Sequence, residues 1–120
     1  MGIDFNLCDA HWSYSGFHFF RRRLANEIGI NLDEMQGFSF IGDDIVERKS
    51  WENITDPIKL LLDHSDCDGY LTPSQCRKIY PRILELVKNW VDDDYDKKQA
   101  IELANGMKKA TIIFKKLEFH

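Results

Sequence analysis

Residues 64–76 read HSDCDGYLTPSQC and connect two predicted helices. In this stretch Thr72 is a suitable N-cap, Pro73 follows at the first helical position, and Gln75 completes a capping box. The helix before the stretch is predicted from a cap at Thr55 or Asp56, a first-turn proline and one apolar face, formed by Ile58, Leu61 and Leu62. These signals predict a helix-loop-helix unit at the centre of the fold.

The loop resembles an EF-hand calcium loop in its middle and differs from one at both ends. With Gly69 aligned to the glycine at position 6, Asp66 and Asp68 occupy positions 3 and 5. His64 then stands at position 1 as a nitrogen donor, and Gln75 at position 12 cannot supply a bidentate carboxylate. A calcium ion would lack oxygen ligands here, so a degenerate EF-hand that binds Ca²⁺ is kept only as an alternative.

Nitrogen and sulfur donors suit zinc better than calcium. His64 and Cys67 form an H-x2-C pair in the loop, and Cys8 and His11 form a C-x2-H pair near the N-terminus. Two such pairs predict a tetrahedral Cys2His2 zinc site, with aspartates as further ligands or as acceptors that orient the histidine. The candidate zinc ligands are His64, Cys67, His11, Cys8, Cys76, Asp66 and Asp68.

Each candidate ligand also has an explanation without a metal. Cys76 lies on the apolar stripe of its helix, where an inert buried thiol is expected. Cys8 could face the core, and His11 beside Trp12 could be an aromatic turn residue. The loop itself fits an Asx turn with Gly69 in a left-handed conformation and no ion. A disulfide is disfavoured in a cytosolic chain with three cysteines.

The first half of the chain predicts a short strand and one long helix. Apolar and polar residues alternate over residues 2–8, which is typical of a strand. Residues 15–29 have helical spacing, with Ser15 as the expected cap and Gly29 as the expected stop. A second short strand is predicted at residues 37–42.

The second half predicts two further helices. The first follows Thr72, and Pro81 should either bend it or mark a later start. Its apolar stripe comprises Cys76, Ile79, Tyr80, Ile83, Val87 and Trp90. The last helix is predicted over about 94–117, with an apolar face formed by Ile101, Ala104, Met107, Ala110 or Thr111, and Phe114. The expected fold is a single domain over residues 1–120, mainly α with a small N-terminal β element and an EF-hand-like unit altered for zinc.

The composition is that of a globular protein, with 43% hydrophobic residues and a net charge of −4. This charge argues against direct nucleic-acid binding, which needs a surplus of lysine and arginine. No apolar run reaches the ~20 residues of a membrane span, so we expect no membrane partner and a cytoplasmic location. The Arg21–Arg23 triplet is interpreted as a solvated helix face.

Acidic residues cluster in two places, and both are candidate surfaces for a protein partner. Trp51 is expected to be exposed beside them. A simpler explanation for the second cluster is that carboxylates stabilise the start of the following helix. The candidate partner-binding residues are Asp92, Asp93, Asp94, Asp96, Asp43 and Asp44.

The motifs of known zinc hydrolases and deaminases, such as HExxH, do not occur in the chain. We therefore expect a protein that is not an enzyme, whose zinc site fixes a binding surface. The alternative is a small hydrolase-like zinc enzyme that uses His11, His64, Cys67 and an aspartate base.

The stretches DAHWSYSGF (9–17) and HSDCDG (64–69), followed by a helical and acidic C-terminal half, resemble a group of small uncharacterised bacterial and phage proteins. In size, acidity and metal-loop design the chain is also similar to phage anti-CRISPR inhibitors of Cas9. That resemblance implies a protein of the bacterial host cytoplasm that docks on the Cas9 recognition lobe through acidic and aromatic surface and hinders nucleic-acid loading.

Overall fold

The computed structural model describes residues 2–35, 49–64 and 69–120, and this part of the chain is mainly helical, as predicted. Two short 3-10 helices lie in the first half, and two short strands pair antiparallel. The helices are α1 (Tyr14–Glu27), α2 (Lys59–Leu62), α3 (Pro73–Val87) and α4 (Tyr95–Ile113); the 3-10 helices are Leu32–Glu34 and Trp51–Asn53; the strands are β1 (Tyr70–Leu71) and β2 (Leu117–Glu118). The strand predicted at 37–42 lies outside the described residues.

The N-terminal segment pairs with the C-terminal one and begins a small antiparallel ladder. Ile3 bridges to Trp12 on one side, and Phe5 bridges to Phe119 on the other. Phe119 in turn donates its N–H to the carbonyl of Gly69 at 3.0 Å. The order across the ladder is therefore residues 11–12, 3–6, 117–120 and 69–71. The predicted alternation is present, since Ile3 and Phe5 are buried while the residues after each are exposed, but the pairing is limited to isolated bridges.

Helix α1 packs its apolar stripe into an aromatic cluster beneath this ladder. Phe17, Phe20 and Leu24 are fully buried, as their spacing predicts. The ring of Phe20 stacks on Trp12 with centroids 4.5 Å apart. The cap at Ser15 is wrong; the helix begins two residues earlier, because Ser13 is extended and accepts the N–H of Gly16 at 3.0 Å.

The C-terminal end of α1 and the start of α3 follow from the capping residues at each position. Gly29, with φ +77°, follows the end of α1, as predicted. At α3 the capping box is complete: Thr72 accepts from the N–H of Gln75 at 3.2 Å, and the Gln75 side chain accepts from the N–H of Thr72 at 2.9 Å. Helix α3 continues through Pro81, so a later start is excluded.

Helix α4 packs against α3 and ends four residues before the predicted boundary. Phe114 adopts a left-handed conformation with φ 57°, which ends the helix and releases Leu117 into β2. Ile101 is 39% exposed and Phe114 is 81% exposed, so both are wrongly placed in the predicted apolar face. The remaining buried surface of α4 consists mainly of small side chains, which let the two helices approach closely. None of the described helices has the length and apolar character to cross a bilayer.

Candidate functional site

His64 stands at the start of the candidate metal loop, and two contacts hold its imidazole ring. The Nε2 atom of His64 lies 3.0 Å from the carbonyl oxygen of Tyr70, and its ring stacks on Phe119 with centroids 4.2 Å apart. Gly69 has φ +89°, and a Cβ at that position would lie 3.3 Å from Cε1 of His64. A glycine there therefore supplies the left-handed backbone and leaves room for the ring.

The contact with Tyr70 fixes the tautomer of His64. A carbonyl oxygen can only accept a hydrogen bond, so Nε2 carries the proton and donates it. In neutral imidazole the other ring nitrogen, Nδ1, then carries the lone pair. This is the form that a metal requires, and metal-bound histidines usually donate their second N–H to such an oxygen.

A buried arginine holds the backbone that leads into the loop. Arg21 is 3% exposed, and its Nη1 donates to the carbonyls of Leu61 at 3.4 Å, Leu62 at 3.3 Å and His64 at 2.5 Å. Carbonyls at a helix end lack helical partners, so the guanidinium caps the short α2. The interpretation of Arg21 as solvated is wrong. Its position four residues after Phe17, on the buried stripe of α1, is the signal that could have revealed its role.

The predicted zinc pair at the N-terminus lies away from His64. Residues 11–12 occupy one edge of the ladder and residues 69–71 occupy the other, with two segments between them. The His64 ring stacks on Phe119, and the 117–120 segment is two inter-strand spacings, about 10 Å, from residues 11–12. The donors around one tetrahedral zinc ion lie within about 4 Å of one another. His11 is engaged elsewhere, with Nδ1 2.8 Å from Oδ1 of Asp4. The structure therefore does not bring the C-x2-H pair to the loop.

Two of the three cysteines lie among packed side chains. Cys8 contacts the backbone of α4 at Gly106, where an added Cβ would lie 2.8 Å from both Cβ and Sγ of Cys8. Burial raises the pKa of the Cys8 thiol, and burial raises the pKa of Cys76 to about 11. Both thiols are therefore harder to ionise than an exposed cysteine in the metal-free protein.

Cys67, Asp66 and Asp68 lie outside the described residues, as do Asp43 and Asp44 of the first acidic cluster. Within residues 2–35, 49–64 and 69–120, no three His, Cys, Asp or Glu side chains are grouped as metal ligands. Of the seven candidate ligands, His64 is thus the described residue whose geometry suits a metal on the loop.

The second acidic cluster is largely paired within the molecule. Arg23 donates to Asp94 and to Asp96 at 2.9 Å each, and Trp12 donates its Nε1–H to Asp96 at 2.9 Å. Asp94 is also the N-cap of α4 and accepts from the N–H of Lys97. The hydrogen bond from Arg23 lowers the pKa of Asp94. The structural explanation of this cluster therefore holds for two of its four residues.

Lys97 binds the turn between α3 and α4 from the inside. Its Nζ donates to the carbonyls of Lys88 at 3.2 Å and Trp90 at 2.8 Å, and to Asp92 at 2.7 Å. The guanidinium of Arg23 lies 3.8 Å from the centroid of the Trp90 ring. Arg23 and Lys97 together therefore hold the turn that joins α3 to α4 in the α3–α4 hairpin.

Trp51 does not form an exposed aromatic surface. Its side chain is 6% exposed and belongs to the core, so the expectation of an exposed tryptophan is wrong. Ser50 caps the 3-10 helix that begins at Trp51, by accepting from the N–H of Glu52 at 3.1 Å. That local turn directs the ring inward.

Comparisons with protein-family models, curated proteins and solved structures found no match for this chain. The resemblance to phage proteins and to anti-CRISPR inhibitors therefore stays a prediction. The function must be argued from the chemistry of the chain itself.

Proposed function

We propose that this chain is a small zinc-binding interaction protein, in which the loop of residues 64–68 holds the metal and the surface binds a protein partner. The observation that carries the proposal is the hydrogen bond from Nε2 of His64 to the carbonyl of Tyr70. It places the ring-nitrogen lone pair on Nδ1, and Cys67 follows at the short spacing of an H-x2-C ligand pair.

The same contact favours zinc over calcium. In the EF-hand alignment Tyr70 occupies position 7, whose carbonyl would be a calcium ligand, and His64 occupies position 1. The imidazole at position 1 already uses that carbonyl, at 3.0 Å. The EF-hand-like character that we propose is confined to the loop and α3, because the entering helix spans only Lys59–Leu62.

The arginine at the base of the loop supports a preorganised site. Arg21 fixes the carbonyl of His64 and the two carbonyls at the end of α2 before any metal binds. A ligand held in place loses less conformational entropy on coordination, which raises affinity. A closed zinc site would add folding energy to a small domain of this kind.

Elemental analysis tests the metal proposal. Protein purified without added metal should contain about one zinc per chain, and the variants His64→Ala and Cys67→Ala should each lose it. The variants His11→Ala and Cys8→Ala are the matched controls, and each should keep it, because residues 11–12 form the far edge of the ladder and Cys8 packs against Gly106 of α4. Equal zinc in all variants, or loss in His11→Ala with retention in His64→Ala, would contradict the proposal.

The partner that the resemblance implies is the Cas9 recognition lobe. Asp94 and Asp96 are bound by Arg23 and Asp92 is bound by Lys97, so we assign partner contact to the exposed Asp93. Charge reversal by Asp93→Lys should weaken binding to purified Cas9 while the zinc content stays unchanged. Binding of Cas9 that is absent, or equal in both proteins, would remove this partner surface from the proposal.

A further inference from the structure

The C-terminal end of α4 exposes three consecutive apolar side chains. Ile112 is 69% exposed, Ile113 is 42% exposed and Phe114 is 81% exposed. We call these three residues the α4 tip. The expected apolar face of α4 is buried at Ala104, Met107 and Ala110, so the tip is additional apolar surface beyond what the core uses.

Lysines surround the tip. Lys108 and Lys109 precede Ile112 by four and three residues and therefore share its side of the helix. Lys115 and Lys116 follow Phe114, and all four lysines are exposed. Lys116 also lies with its Nζ 4.0 Å from the ring centroid of Tyr70, a half-exposed aromatic residue. The nearest carboxylate along the chain belongs to Glu118, which is hydrogen-bonded to Asn6 at 3.2 Å.

The second half of α4 and the residues directly after it are purely basic. The helix is about 28 Å long; aspartates stand beside Lys97 and Lys98 at its start, whereas the charged residues of 103–116 are lysines alone. A chain with a net charge of −4 thus presents one strongly basic and apolar end. Lysines at a helix C-terminus also stabilise the helix dipole, but that effect does not account for the exposed isoleucines and phenylalanine.

The backbone at Phe114 shows that this residue is unfavourable for the fold alone. Its φ of 57° is a conformation that glycine adopts readily and bulky residues rarely adopt. Its N–H bonds to the carbonyl of Ala110, which is the ordinary closure of such a helix end. Because the Phe114 side chain is exposed, no packing energy within the fold offsets this conformational cost.

We propose that the α4 tip inserts into the surface of an anionic lipid bilayer. An apolar wedge with a ring of lysines matches the acyl chains and the acidic headgroups at the same time. A bilayer needs no complementary shape, whereas three side chains expose far less than the roughly 800 Å² that each partner contributes to a stable protein interface. Two of the three side chains in the tip are aliphatic, and these suit hydrocarbon better than stacked nucleic-acid bases.

This contact requires no spanning helix, so it differs from the membrane partner that the sequence argued against. It is also independent of the zinc proposal, because none of its residues is a candidate ligand. The same binding is therefore expected for protein with and without zinc.

Sedimentation with vesicles tests the proposal on the full chain. The wild-type protein should bind vesicles that contain phosphatidylglycerol and phosphatidylcholine, and should bind pure phosphatidylcholine vesicles much more weakly. Phe114→Gly should weaken binding by at least about tenfold, and Lys115→Ala should weaken it by about fivefold. Because glycine suits the left-handed backbone, Phe114→Gly should keep or raise the melting temperature, which separates lost binding from lost folding.

Two matched controls accompany these variants. Phe19→Ser removes an exposed phenylalanine from α1, and Lys98→Ala removes an exposed lysine from the opposite end of α4; both should bind like the wild type. Binding that is absent, that ignores phosphatidylglycerol, or that is equal in Phe114→Gly would overturn the proposal. If the wild type ignores vesicles and Phe114→Gly instead weakens the binding of Cas9, the tip is a protein contact and the bilayer proposal is wrong.

Discussion

The two ends of the α3–α4 hairpin carry opposite charges and are used in opposite ways. At the turn, Asp94 and Asp96 are neutralised by Arg23, and Asp92 is bound by Lys97. At the other end, lysines and apolar side chains of the α4 tip face outward. In the sequence both ends are simply runs of like charge.

A run of like charges in the sequence does not by itself indicate a binding surface, because the fold can pair those charges internally. The aspartates form the more conspicuous run, yet α1 supplies the arginine that two of them pair with. The exposed lysines and apolar side chains lie at the other end, in and around the α4 tip. Because Asp92, Asp94 and Asp96 are all paired within the fold, the proposal that the aspartate run binds a partner is restricted to Asp93.

The largest expected loss of stability comes from replacing Arg21, whose side chain is as buried as those of the core residues. Arg21→Met should lower the free energy of unfolding by about 3 kcal/mol, because three carbonyls lose a charged donor. Urea denaturation measures it. Arg77→Met, at an exposed position of α3, is the control and should change stability by less than about 0.5 kcal/mol. If Arg21→Met and Arg77→Met lower the free energy of unfolding equally, the buried contacts of Arg21 do not stabilise the fold.

Gly106, between the two ends of α4, tests the contact with Cys8. Gly106→Ala should destabilise the protein by about 2 kcal/mol, because the new Cβ would lie 2.8 Å from the Cys8 side chain. In a Cys8→Gly background, which removes both Cys8 atoms that the new Cβ would meet, the same change should be neutral or stabilising by up to about 1 kcal/mol, since alanine favours a helix over glycine. A double-mutant cycle in urea measures the coupling, and its absence would rule out the contact.

Arg23 tests whether the acidic end serves the fold. Arg23→Ala should cost about 1.5 kcal/mol, because it removes two ion pairs and the contact with Trp90. Asp93→Asn, on the exposed neighbour, should leave the unfolding midpoint within error. If the two variants behave alike in thermal or urea unfolding, the aspartates are not organised by Arg23.

The smallest expected effect is a dependence of stability on acid. The hydrogen bond from Arg23 lowers the pKa of Asp94 below its ordinary value of 3.8. For Asp56, burial acts to raise the pKa, but the bonds from Arg82 and from the N–H of Ile58 outweigh it and lower the pKa. Carboxyls with lowered folded pKa values stabilise the fold above 3.8 and lose that contribution as the pH falls through the folded values.

Urea midpoints measured from about pH 6 down to about pH 2 quantify this loss. Arg23→Ala should show a shallower decline than the wild type, because Asp94 then titrates near its ordinary pKa in both states. A wild type that gains stability over the same range would contradict the assignment.

Local signals in the sequence predicted that α1, α3 and α4 exist and predicted some of their ends, but they did not predict the arrangement of the site. The Thr72–Gln75 capping box and the stop at Gly29 depend on a few neighbouring residues, so they could be predicted. The separation of His11 from His64 depends on the order of four segments that are far apart in the chain. Spacing within each ligand pair carries no information about that order. The left-handed conformation of Phe114, which ends α4, could not be predicted either, because the usual sequence signal for such a helix end is glycine.

The central claim is that His64 binds zinc through Nδ1 while Nε2 stays bonded to Tyr70. Nitrogen-15 NMR of the imidazoles during a zinc titration tests it most directly. If His64 binds zinc in this way, Nδ1 of His64 shifts to a metal-bound value at one equivalent of zinc, with Nε2 still protonated and His11 unchanged. A His64 ring that does not respond, or a His11 ring that responds in its place, would contradict it.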